Sequence, residues 1–442
     1  MRLWRKRRLL ILIICCIWLC SVALIYLLIV TREDNIRDGE HQLLWWTNDM
    51  TWSYDELRHC AGETCRVTNN RQRLEEARSI LFYGSNLKTF DFPLPRRGRQ
   101  IWGLLHEESP RNVPFAPYTE FLQHFNYTST FSRHSNLPLT TQYLPYASDL
   151  GMLDFYRSFE DKDVVQFNEE ISTVVFLQTD CNTMSGREDY VQELMKHIRV
   201  DSYGGCLRNI DLPASLQRDY LNNLYSDELL RFLARYKFMI AIENGVCEDY
   251  ITEKYWRPLM AGIIPIYFGS PSIRDWEPHK NSAIYIDDFP NASSLASHLV
   301  HVGQNKTAYN SYLSHKLNRR QPIANPKLLH ELLTRKYQVN RGNQKEELSL
   351  FQKFECFMCR RTAWTRTPRT ANRNHYSCPL PPAYAPLGRQ KEPKFGSDWR
   401  SMMNVGRCQA QLLDSLFRAN RSYTESEFER RLKQMVLQDL CN

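Results

Sequence analysis

Neither G-x-G-x-x-G nor G-x-x-x-x-G-K-[S/T] occurs in the 442 residues, so neither a dinucleotide-binding enzyme nor a P-loop ATPase is indicated. A basic excess is missing too, once its position is considered. The formal charge is +8, but Arg2, Arg5, Lys6, Arg7 and Arg8 supply five of it, which leaves +3 for everything that follows. Such a balance gives no basis for a nucleic-acid partner. No internal repeat is present, and after residue 30 no second long stretch is free of charge.

The one long apolar run, Leu9 to Val30, is 22 residues without a charge. At a rise of about 1.5 Å per residue it can cross a hydrocarbon core of ~30 Å. A cleaved signal peptide has an apolar stretch of only ~7–15 residues, and no small-x-small cleavage site follows this one. An unusually long signal peptide is the alternative. The flanking charges place residues 1–8 in the cytosol, 9–30 in the membrane as a signal anchor, and the rest in a lumen, with a stem at 31–40. That topology describes a single-pass type II protein of the Golgi or the endoplasmic reticulum. Cys15, Cys16 and Cys20 fall in the span, and the other ten cysteines form an even set suited to disulfides in an oxidising compartment. Asn-x-Ser/Thr sequons stand at Asn126, Asn291, Asn305 and Asn420.

Short apolar β-type runs alternate with helical patterns, the signature of parallel sheets flanked by helices. Strands are expected at Leu43–Thr47, Ile80–Tyr83, Gln100–Leu105, Thr173–Gln178 and Val200–Tyr203, with helices at Tyr190–Ile198 and Asp227–Tyr236. The clearest unit runs from strand Phe238–Glu243 through loop Asn244–Glu248 into a helix at Asp249–Ala261. Gly262 ends that helix, and strand Ile263–Phe268 follows. A βαβ unit of this kind presents a helix N-terminus to phosphates. From about Glu346 the character changes to Cys356-Phe-Met-Cys359, a basic polar stretch and a Pro-rich run. A final helix, Thr424–Leu437, opens with a capping box from Thr424 to Glu427.

Tyr250, Glu253, Lys254 and Arg257 stand at i, i+3, i+4 and i+7, which would place them on one helix face near its start. The backbone N–H groups there favour a diphosphate, Lys254 adds positive charge, and Glu253 can accept hydrogen bonds from sugar hydroxyls. A solvated face carrying an i,i+4 charge ladder has the same spacing.

The segment YKFMIAIENGVCEDYITEKYWRPLMAGIIPIYFGSPS, Tyr236 to Ser272, resembles the donor-binding signature of the α1,3-fucosyltransferase family. The resemblance extends upstream to HEESP (His106–Pro110), FNYTSTFSRHSNLPLTTQYL (Phe125–Leu144) and VDSYGGC (Val200–Cys206). Downstream, FECFMC (Phe354–Cys359) is similar to the animal branch conventionally numbered ten and eleven. The resemblance implies an α/β fold of the GT-B type: two Rossmann-like domains facing a cleft, preceded here by one N-terminal transmembrane helix. The halves would be an acceptor-side domain at 41–200 and a donor-binding domain at 201–345, followed by a Cys-containing extension at 346–442.

It implies further that L-fucose passes from GDP-fucose, with inversion, to a glycoprotein acceptor. That acceptor is either a glycan, in α1,3 linkage, or a Ser/Thr hydroxyl in a folded Cys-rich domain. Inversion in a single displacement requires one general base; the matching position is Glu108, and its neighbour Glu107 either shares a proton with it or stands by. Arg187, Asn244, Tyr250, Glu253 and Lys254 match donor-binding positions. No cofactor and no obligatory metal are implied, and Asp161-Lys-Asp163 lies in a polar run outside the matching blocks. The alternative is an inactive sugar-binding or folding factor with the same fold. For Cys356 and Cys359 three readings stay open: disulfides formed locally or with Cys378, Cys408 or Cys441; zinc; or a redox pair. Cys247 is bonded or free.

Overall fold

The computed structural model describes residues 41–47, 54–98, 100–217, 223–335, 349–364, 369–387 and 392–441. The expected cytosolic tail, membrane anchor and stem lie outside these. Among the described residues no helix is long and apolar enough to cross a membrane.

Two sheets form the frame. The first contains β1 (His41–Trp45), β2 (Asp55–Cys60), β3 (Glu63–Thr68), β4 (Ser79–Tyr83), β5 (Ile101–His106) and β6 (Tyr127–Thr130), in the order β2-β3-β1-β4-β5-β6. Only β2 runs antiparallel to its neighbour. The second sheet contains β7 (Val174–Leu177), β8 (Val200–Tyr203), β9 (Phe238–Ile242), β10 (Ile264–Phe268) and β11 (Ile284–Tyr285), all parallel, in the order β11-β10-β9-β7-β8. Every residue of β9 and β10 is buried, as expected for parallel strands covered on both faces.

The division expected at residue 200 falls inside this second sheet: it cuts β8, and β7 lies before it. The chain crosses to the second half after β6, by way of a helix at Phe159–Asn168. Asp161 serves that helix as a capping-box residue with Ser158, and Lys162 points inward to the carbonyls of Ala234 and Tyr236. The Asp-Lys-Asp run therefore caps and anchors a helix.

Among the helices, α1 (Arg187–Leu194) and α2 (Asp227–Leu233) flank the second sheet, and α3 (Glu253–Ala261) connects β9 to β10. The last part of the chain supplies α4 (Leu350–Trp364), α5 (Gly396–Ala419) and α6 (Glu425–Leu437). These are no appendage. Helix α4 lies on the first sheet, with Phe354, Phe357 and Met358 buried against Trp45, Leu81 and Leu105. The approach is close enough that a Cβ on Gly103 of β5 would sit 2.8 Å from Met358 Cε. Helix α5 brings Leu413, Leu416 and Phe417 into a core with Phe82, Phe92, Trp102 and Phe121.

Disulfides tie this arrangement across long stretches of sequence. Cys60 bonds Cys356 and Cys65 bonds Cys359, so the β2–β3 hairpin is stapled to α4. Residues 356 and 359 are one helical turn apart and share a face. The partners expected at Cys378, Cys408 or Cys441 are taken otherwise: Cys247 bonds Cys378 and Cys408 bonds Cys441, while Cys181 bonds Cys206. The zinc and redox readings of the pair at 356 and 359 fall with that pairing. The capping box of α6 forms by half. Thr424 accepts from the Glu427 amide, but the Glu427 carboxylate turns to Arg421.

Candidate active site

The C-terminal ends of β5 and β9 face the same cleft, where ligands bind in open parallel sheets. From the first half, Glu108 follows β5. From the second come Gln178, Thr179 and Asp180 after β7, Arg187 at the start of α1, Asn244 after β9, and Thr252, Glu253 and Lys254 at the start of α3. Together with Arg111, Tyr143, Leu224 and Tyr250 they line a cavity of about 290 Å³. All six residues expected from the sequence are therefore brought together. A larger cavity, of about 490 Å³, lies elsewhere between Leu137, Glu331 and Phe357; it holds none of them.

The expected common helix face is not how they meet. Helix α3 starts at Glu253, with the Thr252 hydroxyl capping the Lys254 amide. Before it, Asp249 adopts a left-handed backbone (φ 64°), so Tyr250 approaches from a loop. Arg257 is fully buried outside the cleft lining, and none of its guanidinium nitrogens has a hydrogen-bond partner.

The helix start is built around Glu243, a buried carboxylate that sequence reasoning passed over as the end of a strand. It accepts from the Thr252 amide at 2.8 Å and the Thr252 hydroxyl at 2.7 Å. Lys254 Nζ lies 3.5 Å from Glu243 and 3.1 Å from Glu253, and donates to Thr252 Oγ1 at 2.9 Å. Burial works against charge at Lys254, but Glu253 and Glu243 outweigh it and raise its pKa. Burial also opposes ionisation of Glu253, yet Lys254 and Arg257 pull that carboxyl down to about 2. The site thus holds a fixed ammonium beside the positive end of the α3 dipole. Arg187 adds a second cation. It is buried, its pKa is lowered by desolvation, and it donates to the Asp180 carbonyl at 2.7 Å. Its Nε has no partner, and neither do Gln178 Nε2 and Asn244 Oδ1. Three unsatisfied buried groups around one cleft are a costly arrangement unless a polar ligand completes them.

On the opposite wall, Glu108 Oε2 accepts from the Tyr250 phenol at 3.0 Å, so residues of both halves touch across the cleft. Glu107 faces away and is met by the Tyr83 phenol. Burial, with a smaller contribution from the charge of Glu108, pushes Glu107 up to about 7. Arg133, after β6, grips Asp249 through its guanidinium and its backbone amide and also reaches Asp275. Among the described residues no three His, Cys, Asp or Glu converge to hold a metal ion.

Two family models cover most of this frame. The fucosyltransferase N-terminal model matches residues 38–143, and the C-terminal model of glycosyltransferase family 10 (fucosyltransferase) matches 167–373. Alpha-(1,3)-fucosyltransferase B of Drosophila melanogaster is 57% identical over 414 residues, 93% of either chain. The chain belongs to glycosyltransferase family 10.

It is therefore a fucosyltransferase, and nothing in these matches favours the inactive alternative. GDP-fucose protein O-fucosyltransferase 3 of Gallus gallus is 38% identical over 405 residues, covering 88% of this chain and 83% of that one. The crystal structure of an alpha1,3-fucosyltransferase with GDP-fucose overlaps this fucosyltransferase with a TM-score of 0.41 at 14% identity, over 75% of this chain and 93% of that one.

Proposed function

We propose that this fucosyltransferase takes L-fucose from GDP-fucose and transfers it, with inversion, to a Ser or Thr hydroxyl of a folded, cysteine-rich protein domain. The observation that carries the transfer reading is the pairing of a carboxylate on one wall, Glu108, with Lys254, Arg187 and a helix N-terminus on the other. Glu108 removes the proton of the acceptor hydroxyl as its oxygen bonds to the anomeric carbon. The bond from that carbon to the diphosphate breaks, and GDP leaves with the electron pair. Charge develops on the diphosphate, where Lys254, Arg187 and the positive end of the α3 dipole stabilise it. Under this reading no obligatory metal is needed, because the cations are already fixed. Asn244, Gln178 and Glu253 receive the nucleotide and sugar hydroxyls, and the two halves act as the two domains of a GT-B enzyme.

The protein acceptor is supported by similarity to GDP-fucose protein O-fucosyltransferase 3 of chicken over 88% of this chain and 83% of that one. A second reading, α1,3 transfer to a glycan, is favoured by the name of the Drosophila relative. The proposal places the catalytic part in the lumen of the Golgi or the endoplasmic reticulum, behind a single anchor at 9–30. In support, all ten cysteines outside that stretch are paired. Asn291 and Asn305, exposed helix caps, are the proposed glycan carriers. Asn126 and Asn420 instead spend their amides on the carbonyls of Arg369 and Arg96.

Incubating the purified chain with GDP-fucose and either a folded Cys-rich domain or an N-glycan tests this, with a deoxyhexose followed by mass spectrometry. Transfer to Ser or Thr is expected, and Glu108→Gln should lower it by about 10²–10⁴. Transfer to the glycan alone would establish the second reading.

A further inference from the structure

Residues 371–378 follow the first-half helix α4 in sequence and look like an unremarkable polar stretch, yet they run beside β6 and beneath the site. The Ala371 amide donates to the Phe125 carbonyl at 2.9 Å, and Ser132 Oγ donates to the Asn374 carbonyl at 2.6 Å. On the other side, the Glu248 amide of the donor loop donates to the Ser377 carbonyl at 2.8 Å, and Cys378 is bonded to Cys247 of the same loop. Between these attachments sits Tyr376, fully buried. Its ring stacks on His106 at 5.3 Å and 11°, and packs on Phe131 at 4.8 Å. Its phenol donates to the backbone carbonyl of Glu108 at 2.6 Å and lies 3.3 Å from His106 Nε2. His106 is buried and held neutral, so its Nε2 proton can complete a chain from imidazole to phenol to the Glu108 carbonyl.

We propose, on the basis of the transfer reading above, that Tyr376 is a positioning residue for the general base. The segment 371–378 is a strut: Tyr376 fixes the backbone that carries Glu108, and the Cys247–Cys378 bond fixes the same segment to the loop that carries Tyr250. Base and donor loop are thereby set at one spacing. That spacing matters because a displacement of about 1 Å at a reacting group can cost ~10²-fold. A tyrosine that only filled the core would contribute to stability and leave the action of Glu108 alone.

Tyr376→Phe in the full-length chain removes the donor and keeps the ring. We expect kcat to fall about tenfold, the scale of one hydrogen bond. The KM for GDP-fucose and GDP binding should stay near wild type, while the thermal midpoint falls modestly because the Glu108 carbonyl loses its donor. Adding Tyr376→Phe to Glu108→Gln should change the residual rate by less than about twofold, because the two act as a unit. An unchanged kcat in Tyr376→Phe would overturn the inference, as would an equal tenfold loss in both backgrounds. Wild-type activity in Glu108→Gln alone would instead remove the base assignment, and the positioning role with it.

Discussion

The two halves of the cleft are assembled in opposite ways. The centre of the second half is built from neighbouring sequence: β9, α3 and β10 span residues 238 to 268, and Thr252, Glu253 and Lys254 line the cleft from consecutive positions at a capped helix start. The first half is built from both ends of the chain. Its sheet comes from residues 41–130, but its cover, α4 and α5, comes from 350–419. That βαβ unit can therefore be coded locally. The first half depends on long-range closure, and so does the spacing of Glu108.

The comparison can be broken most severely at the staples. Replacing Cys65 and Cys359 by alanine should cost about 2–5 kcal/mol of stability, read as a lowered urea midpoint, with GDP affinity kept because the second half does not contain that bond. If GDP affinity falls in parallel, the halves do not divide as described. Lys254→Ala attacks the other side. It should reduce kcat by about 10²–10³, or ~2.7–4 kcal/mol of transition-state stabilisation, in steady-state assays.

The contact between halves comes next. Arg133→Gln leaves the buried Asp249 carboxylate with Trp276 and Ser272 but without its ion pair. A loss of about 1–3 kcal/mol is expected, seen in thermal unfolding together with a raised KM for GDP-fucose. The smallest effect concerns pH. Glu107 is raised by burial from 4.5 to about 7, so the folded state binds its proton more tightly than the unfolded chain does. Its contribution is complete below the unfolded value and is lost as pH rises through the folded one. Between roughly pH 4.5 and 7, wild-type stability should fall relative to Glu107→Gln by about 1 kcal/mol per unit. Paired urea titrations would show this as a widening gap.

Legibility in the sequence follows the same division. The βαβ unit was readable because its strands, helix and Gly262 stop lie within one stretch, and Gly262 does take the left-handed C-cap. Glu108 and the five other cleft-lining candidates are picked out through that stretch and its flanking motifs. Tyr250 was placed on a helix because spacing cannot reveal the left-handed turn at Asp249, which is stabilised by Arg133 from 116 residues away. The β2–β3 hairpin was missed because its turn is Ala61-Gly62, both at positive φ, without the Asn-Gly or Asp-Gly pair that signals such turns. Glu243 lies inside the Tyr236–Ser272 segment but reads there only as the end of a strand, and Tyr376 carries no local signal. Their roles come from partners supplied by the fold.

Sequence distance between the staples also sets an order of events during synthesis. Cys60 emerges 296 residues ahead of Cys356, and Cys65 emerges 294 ahead of Cys359. At ~5–20 residues per second, the hairpin thiols wait roughly 15–60 seconds for their partners. Throughout that interval the first half has an uncovered sheet face and two unpaired thiols, and the loop after β9 carries a third, Cys247, whose partner Cys378 comes later still. A ribosome stalled before residue 356 would thus present a chain with the hairpin thiols and Cys247 all open to mispairing, a client for thiol isomerases.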